Sequence, residues 1–229
     1  MDLLTDDQLE RSAVVANCRM NRERVLVGTN GYDKELGFDP LVFLRGRAAS
    51  GRRTAWLDLC CGTGRALIEA AGIADEEGLG SRISIVGVDL VGMFLTPGPG
   101  VEGLRLVEAS LRTWRPEGQF DLITCVHGLH YVGDKLGLIA RAASWLVEDG
   151  LFVANLALEN VKVADVPEPG RKLVAGFRHA GLEFDRRRRL VACRGRAELE
   201  LPCRYLGADD RAGPNYTRQP AVDSHYEIV

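Results

Sequence analysis

The 229-residue sequence predicts an α/β domain built on a mostly parallel, doubly wound sheet, with a helical cap before it and an antiparallel hairpin at its end. Three observations carry that expectation. Five apolar runs, several rich in β-branched residues, recur between residues 55 and 156. Segments with helical spacing follow the first and fourth of these runs. A glycine-containing turn joins the first run directly to the first helix. Strands alternating with helices need crossover connections, and these give a parallel sheet covered on both faces.

The elements follow in order. Residues 6–28 carry Leu9, Val14, Val15, Met20, Val25 and Leu26 at helix-like intervals, end near Gly28, and read as a cap laid against the domain. Ala55 to Leu59 is the first strand, and Arg65 to Ala74 the helix after it, stopped near Gly78 and Gly80. Ile83 to Val88, Leu104 to Val107 and Phe120 to Val126 are the second, third and fourth strands. From Lys135 to Val147 the positions Leu136, Ile139, Ala143 and Leu146 share a helix face, which Asp149-Gly150 closes. Leu151 to Leu156 is the fifth strand, Lys172 to Gly181 a helix, and Arg189 to Cys193 with Leu199 to Cys203 the hairpin. Residues 207–217, dense in Gly, Pro and polar groups, are either a flexible end or an ordered loop over the substrate or a second subunit. The expected boundaries are a cap at 1–50, a main domain at 51–203 and a tail at 204–229.

Composition narrows the function. No run approaches the roughly 18 apolar residues of a membrane span, and the acidic amino terminus lacks a signal-peptide layout, so a cytoplasmic protein is expected. The net charge of −3 disfavours nucleic acid. The run Arg186-Arg187-Arg188-Arg189 reads as the solvated edge of a strand, since Leu190, Val191 and Ala192 follow at once. The six cysteines read mostly as small buried hydrophobes, and adjacent Cys60 and Cys61 lack metal-site spacing; no metal is expected.

In such sheets ligands bind outside the carboxyl ends of the strands. Asp58, Asp89 and Glu108 close the first three strands in turn, and Gly62 and Gly64 in the first turn permit close approach by a ligand. A carboxylate after the second strand suits the hydroxyls of a ribose. One after the third suits the exocyclic amine of an adenine, with the next backbone amide pairing to a ring nitrogen. Buried acids repel a pyrophosphate, so the ligand has no phosphate near Asp58.

These residues resemble the class I S-adenosylmethionine-dependent methyltransferases. Asp58 to Gly64 resembles their first motif, Asp-x-Gly-x-Gly-x-Gly, with Cys60 in place of its first Gly. Asp89-Leu90 resembles their ribose-binding motif and Glu108-Ala109-Ser110 their adenine-binding acid with its neighbours. Phe120-Asp121-Leu122-Ile123 through Leu129-His130-Tyr131 resembles the fourth-strand motif, and Leu146 to Leu151 the Leu-x-x-Gly-Gly turn with one Gly absent. The resemblance covers roughly residues 54–158. It implies a seven-stranded sheet ending in an antiparallel pair, and S-adenosylmethionine as cofactor. It implies a cofactor site of Asp58, Cys60, Cys61, Gly62, Gly64, Asp89, Leu90, Glu108, Ala109, Ser110 and Cys125.

The implied reaction is in-line methyl transfer to the oxygen or nitrogen of a small molecule, driven largely by alignment. A base is needed only where the acceptor must lose a proton. His127 and His130 are the catalytic candidates, against the plainer reading of buried neutral histidines. Tyr32, His127 and Tyr216 are the substrate-side candidates, joined by Asp209, Asp210 and His225 if the tail is ordered. A homodimer stays open. The alternatives are a non-catalytic cofactor-binding module and an NAD-dependent oxidoreductase, which lacks its third glycine here.

Overall fold

The computed structural model describes residues 3–16, 23–49 and 51–229; Cys18 and Met20 lie outside the described residues. Among the described residues the cap holds four helices: α1 (Asp6–Glu10), α2 (Ala13–Ala16), α3 (Tyr32–Leu36) and α4 (Pro40–Ala48). Local chemistry starts them. Thr5 and Gln8 form a capping box on α1, whose first turn carries Asp6 and Asp7 against the positive end of the helix. Asp39 accepts the N–H groups of Leu41 and Val42 at the start of α4, with Pro40 in the first turn. Among the described residues of 6–28 the helix-like spacing gives two short helices, and Val25 instead bridges to Gly31.

The main sheet begins with β1 (Thr54–Leu59), α5 (Arg65–Glu76), β2 (Ile83–Asp89), β3 (Leu104–Glu108) and β4 (Phe120–Cys125). It continues with α6 (Lys135–Ser144), β5 (Leu146–Asn155), α7 (Gly170–His179), β7 (Glu183–Asp185) and β8 (Leu190–Arg194), with a short β6 (Val161–Val163) elsewhere. The order β3-β2-β1-β4-β5-β8-β7 reverses direction at β1, which puts the switch point between β1 and β4. The first five strands run parallel; β8 is antiparallel to both β5 and β7. Helix α5 buries Leu67 and the small residues Ala66, Ala70, Ala71 and Ala74, which let it sit close to the sheet. Leu57, Leu59, Val88, Ile123 and Phe152 fill the opposite face with α6 and α7.

Four expectations need correction. No helix covers the crossovers 90–103 and 109–119, so β3 is only partly buried and the sheet is not covered on both faces at that edge. Helix α6 stops at Ser144, capped by Trp145, and Asp149-Gly150 lies inside β5. A pairing irregularity between Phe120 and Leu122 absorbs the extra residues, and Arg47 and Arg52 hold Asp149. The hairpin partner of β8 is β7, not residues 199–203. The arginine run is the turn between them: Asp185 accepts the N–H groups of Arg187 and Arg188, and Arg189 sits at φ 55°. Beyond β8, Pro202 has no N–H for a ladder, and the chain leaves for a second sheet.

That sheet orders the carboxyl-terminal residues. Strands β9 (Cys203–Asp209) and β10 (Asp223–Ile228) pair antiparallel, and β10 also pairs parallel with β6. Among the described residues no helix is long and apolar enough to cross a membrane.

Candidate active site

The turn after β1 is built on left-handed backbone. Cys60 stands at φ 59°, Gly62 at 61° and Gly64 at 73°. Cys60 therefore keeps the conformation that the absent glycine would adopt freely, at a steric cost. It is fitted under the next loop: a Cβ on Gly128 would overlap Cys60 Cβ and meet Cys125 Sγ at 2.8 Å.

Asp58 is fully buried beneath this turn. It accepts Tyr32 Oη at 2.7 Å and Thr124 Oγ1 at 2.5 Å, and Thr124 Oγ1 accepts Trp56 Nε1 at 2.7 Å. Burial pushes the Asp58 carboxyl up to about 7, against the pull of the Thr124 and Tyr32 hydrogen bonds, with the Asp89 charge adding to the rise. Burial and the same Asp58 charge hold the Tyr32 phenol well above its ordinary value. Tyr32 thus ties the cap to the turn from below.

A cavity opens at the carboxyl ends of β1, β2 and β4. Cys60, Gly62, Asp89, Leu90 and Ala109 line one end, and Val126, His127, Gly128 and Tyr131 the side after β4. Helix α1 roofs it with Leu9 and Glu10, and the Glu10 carboxylate accepts Ser110 Oγ at 2.5 Å. Tyr205 from β9 reaches the same cavity and donates to Asp6 Oδ1 at 3.0 Å.

The expected cofactor residues divide into two sets. Cys60, Gly62, Asp89, Leu90 and Ala109 face the cavity; Asp58, Cys61, Gly64, Ser110 and Cys125 support them from outside its wall. Glu108 lies exposed at the tip of β3, its carboxylate against Gly92 and off the cavity wall. The Ala109 amide expected for a ring nitrogen instead donates to the Asp89 carbonyl at 2.9 Å, because the β2–β3 ladder runs one residue past the strand ends.

Of the two histidines only His127 lines the cavity; His130 lies behind it, 1% exposed. His127 takes φ 58°, and its N–H donates to Asn155 Oδ1 at 3.1 Å. Burial, with the His127 and Lys135 charges, holds His130 well below the usual imidazole range. Tyr216, which does not line the cavity, packs its ring 6.1 Å from that of His127 and 5.4 Å from that of His130, with the Arg189 guanidinium 4.0 Å from its ring centroid. Asp209 is held by Arg211, His225 lies on β10 opposite Gly207, and neither they nor Asp210 line the cavity. Tyr32 is buried against Asp58 and does not reach it either. Glu35, Arg24 and the α1 residues carry no sequence motif and were not among the expected site residues.

The donor set fits S-adenosylmethionine. Asp89 Oδ2 accepts Gly62 N at 2.9 Å and Oδ1 accepts Val91 N at 3.0 Å, which orients the carboxylate at the cavity wall, where a ribose hydroxyl would meet a charged acceptor. Among the described residues no cluster of His, Cys, Asp and Glu is arranged to hold a metal ion.

The sequence pattern of the family described as "Methyltransferase domain" matches residues 32–204. No curated protein sequence matches the chain significantly. Among solved structures, the chain is similar to S-adenosylmethionine-bound CalS10, an amino pentose methyltransferase from Micromonospora echinaspora. That match has 24% identity, 55% of this chain, 50% of that chain and a TM-score of 0.37. It is also similar to coclaurine N-methyltransferase (14% identity, 67% and 45% covered, TM-score 0.40) and to YjhP from E. coli (19%, 62% and 64%, TM-score 0.40). The chain spans about half the length of the first structures it matches. The family pattern covers well over half of the chain, from α3 to the start of β9, so the chain belongs to the class I S-adenosylmethionine-dependent methyltransferase family, with S-adenosylmethionine as its cofactor.

Proposed function

We propose that the protein transfers a methyl group to an oxygen or nitrogen of a small-molecule acceptor. One observation carries this reading: a single cavity joins the Asp89 end, suited to a nucleoside, to the His127 imidazole. When bound, S-adenosylmethionine would supply an electrophilic methyl group on sulfur, the thioether keeping the electron pair of the broken bond. Asp89 would accept the ribose hydroxyls, and Gly62 would let the backbone approach closely. Leu90 and Ala109 would give the adenine apolar walls. His127 takes the proton that a hydroxyl or amine must lose. Helix α1 covers part of the cavity, and Tyr216 buttresses the histidine pair from the carboxyl-terminal side.

The net charge of −3 supports a small acceptor rather than a nucleic acid. The test incubates the protein with methyl-labelled S-adenosylmethionine and a panel of phenols, aliphatic alcohols and amines. The reading predicts label transfer to one class and a fall of at least about tenfold in His127→Ala. Cofactor binding without transfer to any panel member would favour a non-catalytic binding module.

A further inference from the structure

The two groups expected to meet an adenine after β3 are both turned elsewhere. Glu108 lies exposed with its carboxylate against Gly92, and the Ala109 amide donates to the Asp89 carbonyl at 2.9 Å. Yet a carboxylate does stand on the cavity wall at the next residue, Ser110. It belongs to Glu10, the last residue of α1, 100 residues earlier in the chain.

Hydrogen bonds fix how Glu10 is presented. Ser110 Oγ accepts the Arg112 N–H at 3.2 Å and donates its own proton to Glu10 Oε1 at 2.5 Å. Oε2 has no protein partner among the described residues. Helix α1 is held in place from its other side. Leu9 is buried with Ala208 and Val222, Leu4 N donates to the Ala208 carbonyl at 2.8 Å, and Asp6 accepts Tyr205 Oη at 3.0 Å. Two further acids line the cavity beyond Glu10, and both are engaged away from Ala109. Asp6 holds Tyr205 of β9, and Asp134 accepts Gly137 N at the start of α6 and Tyr226 Oη.

We infer that Glu10 is the residue that recognises the exocyclic amine of the cofactor's adenine, in place of an acid at the tip of β3. The inference rests on S-adenosylmethionine as the cofactor. With the ribose on Asp89, a base lying along Leu90 and Ala109 would run toward Ser110, because Ala109 is hydrogen-bonded to Asp89 and Ser110 follows it. An amine there has protons to donate, and Oε2 has lone pairs to accept them. A carbonyl oxygen in the same place would set acceptor against acceptor, so the carboxylate selects an aminopurine over an oxopurine. The cap helix that covers the cavity then forms part of the cofactor site.

The test is calorimetric titration of the full chain with S-adenosylhomocysteine and with S-inosylhomocysteine, which carries oxygen in place of the amine. Wild type is expected to bind the adenosyl compound at least about tenfold more tightly. Glu10→Gln keeps the size of the side chain but gives it protons to donate. It is expected to erase or reverse that preference, weakening the adenosyl compound and tightening the inosyl one. Damage to the cavity would weaken both alike, so opposite changes separate recognition from disruption. Glu108→Gln is expected to keep the wild-type preference. The inference is overturned by an unchanged preference in folded Glu10→Gln, by a preference lost in Glu108→Gln instead, or by equal affinities in wild type. If wild type binds neither compound, the cofactor assignment fails and this inference fails with it. If Glu10→Gln does not fold, Ser110→Ala decides: without the hydroxyl that orients Glu10, the preference must narrow.

Discussion

The Tyr32 hydroxyl donates to Asp58 Oδ2 across 2.7 Å, so one buried hydrogen bond joins the cap to the turn that precedes α5. Tyr32 is 3% exposed and Asp58 fully buried, so water cannot replace the bond if it is lost. Tyr32→Phe should cost about 1–3 kcal/mol of folding stability, the usual penalty for a buried polar group left without its partner. Denaturant unfolding measures it. A change below about 0.5 kcal/mol would mean that the two elements are held by packing alone.

The same carboxyl sets a pH dependence. Burial places the folded Asp58 at about 7, above its ordinary value near 4, so the folded chain keeps a proton that the unfolded chain has released. The sign follows: this contribution to stability is fully present below about pH 4 and is lost as the pH rises through 7. Asp58→Asn should therefore flatten the fall in stability between about pH 5 and about pH 8. Equal slopes in wild type and variant would place the titration on another group.

How far these features were legible from the chain depends on their range. The parallel core was readable because each strand is a contiguous apolar run, and the turn after β1 because Asp58, Gly62 and Gly64 are neighbours in sequence. Strand partners were not. Residues 190–194 have extended segments on both sides, and what decides for Glu183–Asp185 is a turn closed by Asp185 and Pro202's missing donor. Glu35 was invisible for a different reason. An acid in a short helix has no signature, and only the fold brings it 2.9 Å from a histidine far along the chain. Of the three acids read at the strand tips, Asp89 faces the cavity, Asp58 is buried beneath it and Glu108 stands outside.

Cys60 offers a local test of the turn. At φ 59° glycine is unstrained, cysteine tolerable and a β-branched residue strongly disfavoured. Cys60→Gly should fold with stability within about 1 kcal/mol of wild type, while Cys60→Val should lose about 2 kcal/mol and weaken cofactor binding. Gly128→Ala should resemble the valine variant, because the added methyl meets Cys60 and Cys125. Thermal unfolding with and without S-adenosylmethionine checks all three. A Cys60→Val protein as stable as wild type would refute the strained geometry.

Lys135 joins the main domain to the carboxyl-terminal sheet. Its fully buried Nζ donates to the carbonyls of Val132 and Val222 at 2.8 Å each and to Ser224 Oγ at 2.7 Å, while Val222 N donates to the His130 carbonyl at 2.9 Å. Lys135→Met should cost about 3 kcal/mol and speed hydrogen exchange across residues 222–226, because two buried carbonyls lose their donor. Unaltered exchange there would show that β10 is held by its strand partners alone.

The account depends most on the carboxyl ends of β1 and β2 gripping the nucleoside of S-adenosylmethionine. Calorimetric titration of wild type and Asp89→Ala with S-adenosylmethionine tests this without any acceptor. The account predicts one site per chain in wild type and an affinity at least about tenfold lower in the folded variant, as expected when a ribose loses a charged acceptor. Equal affinities, or no binding by the wild-type protein, would contradict it.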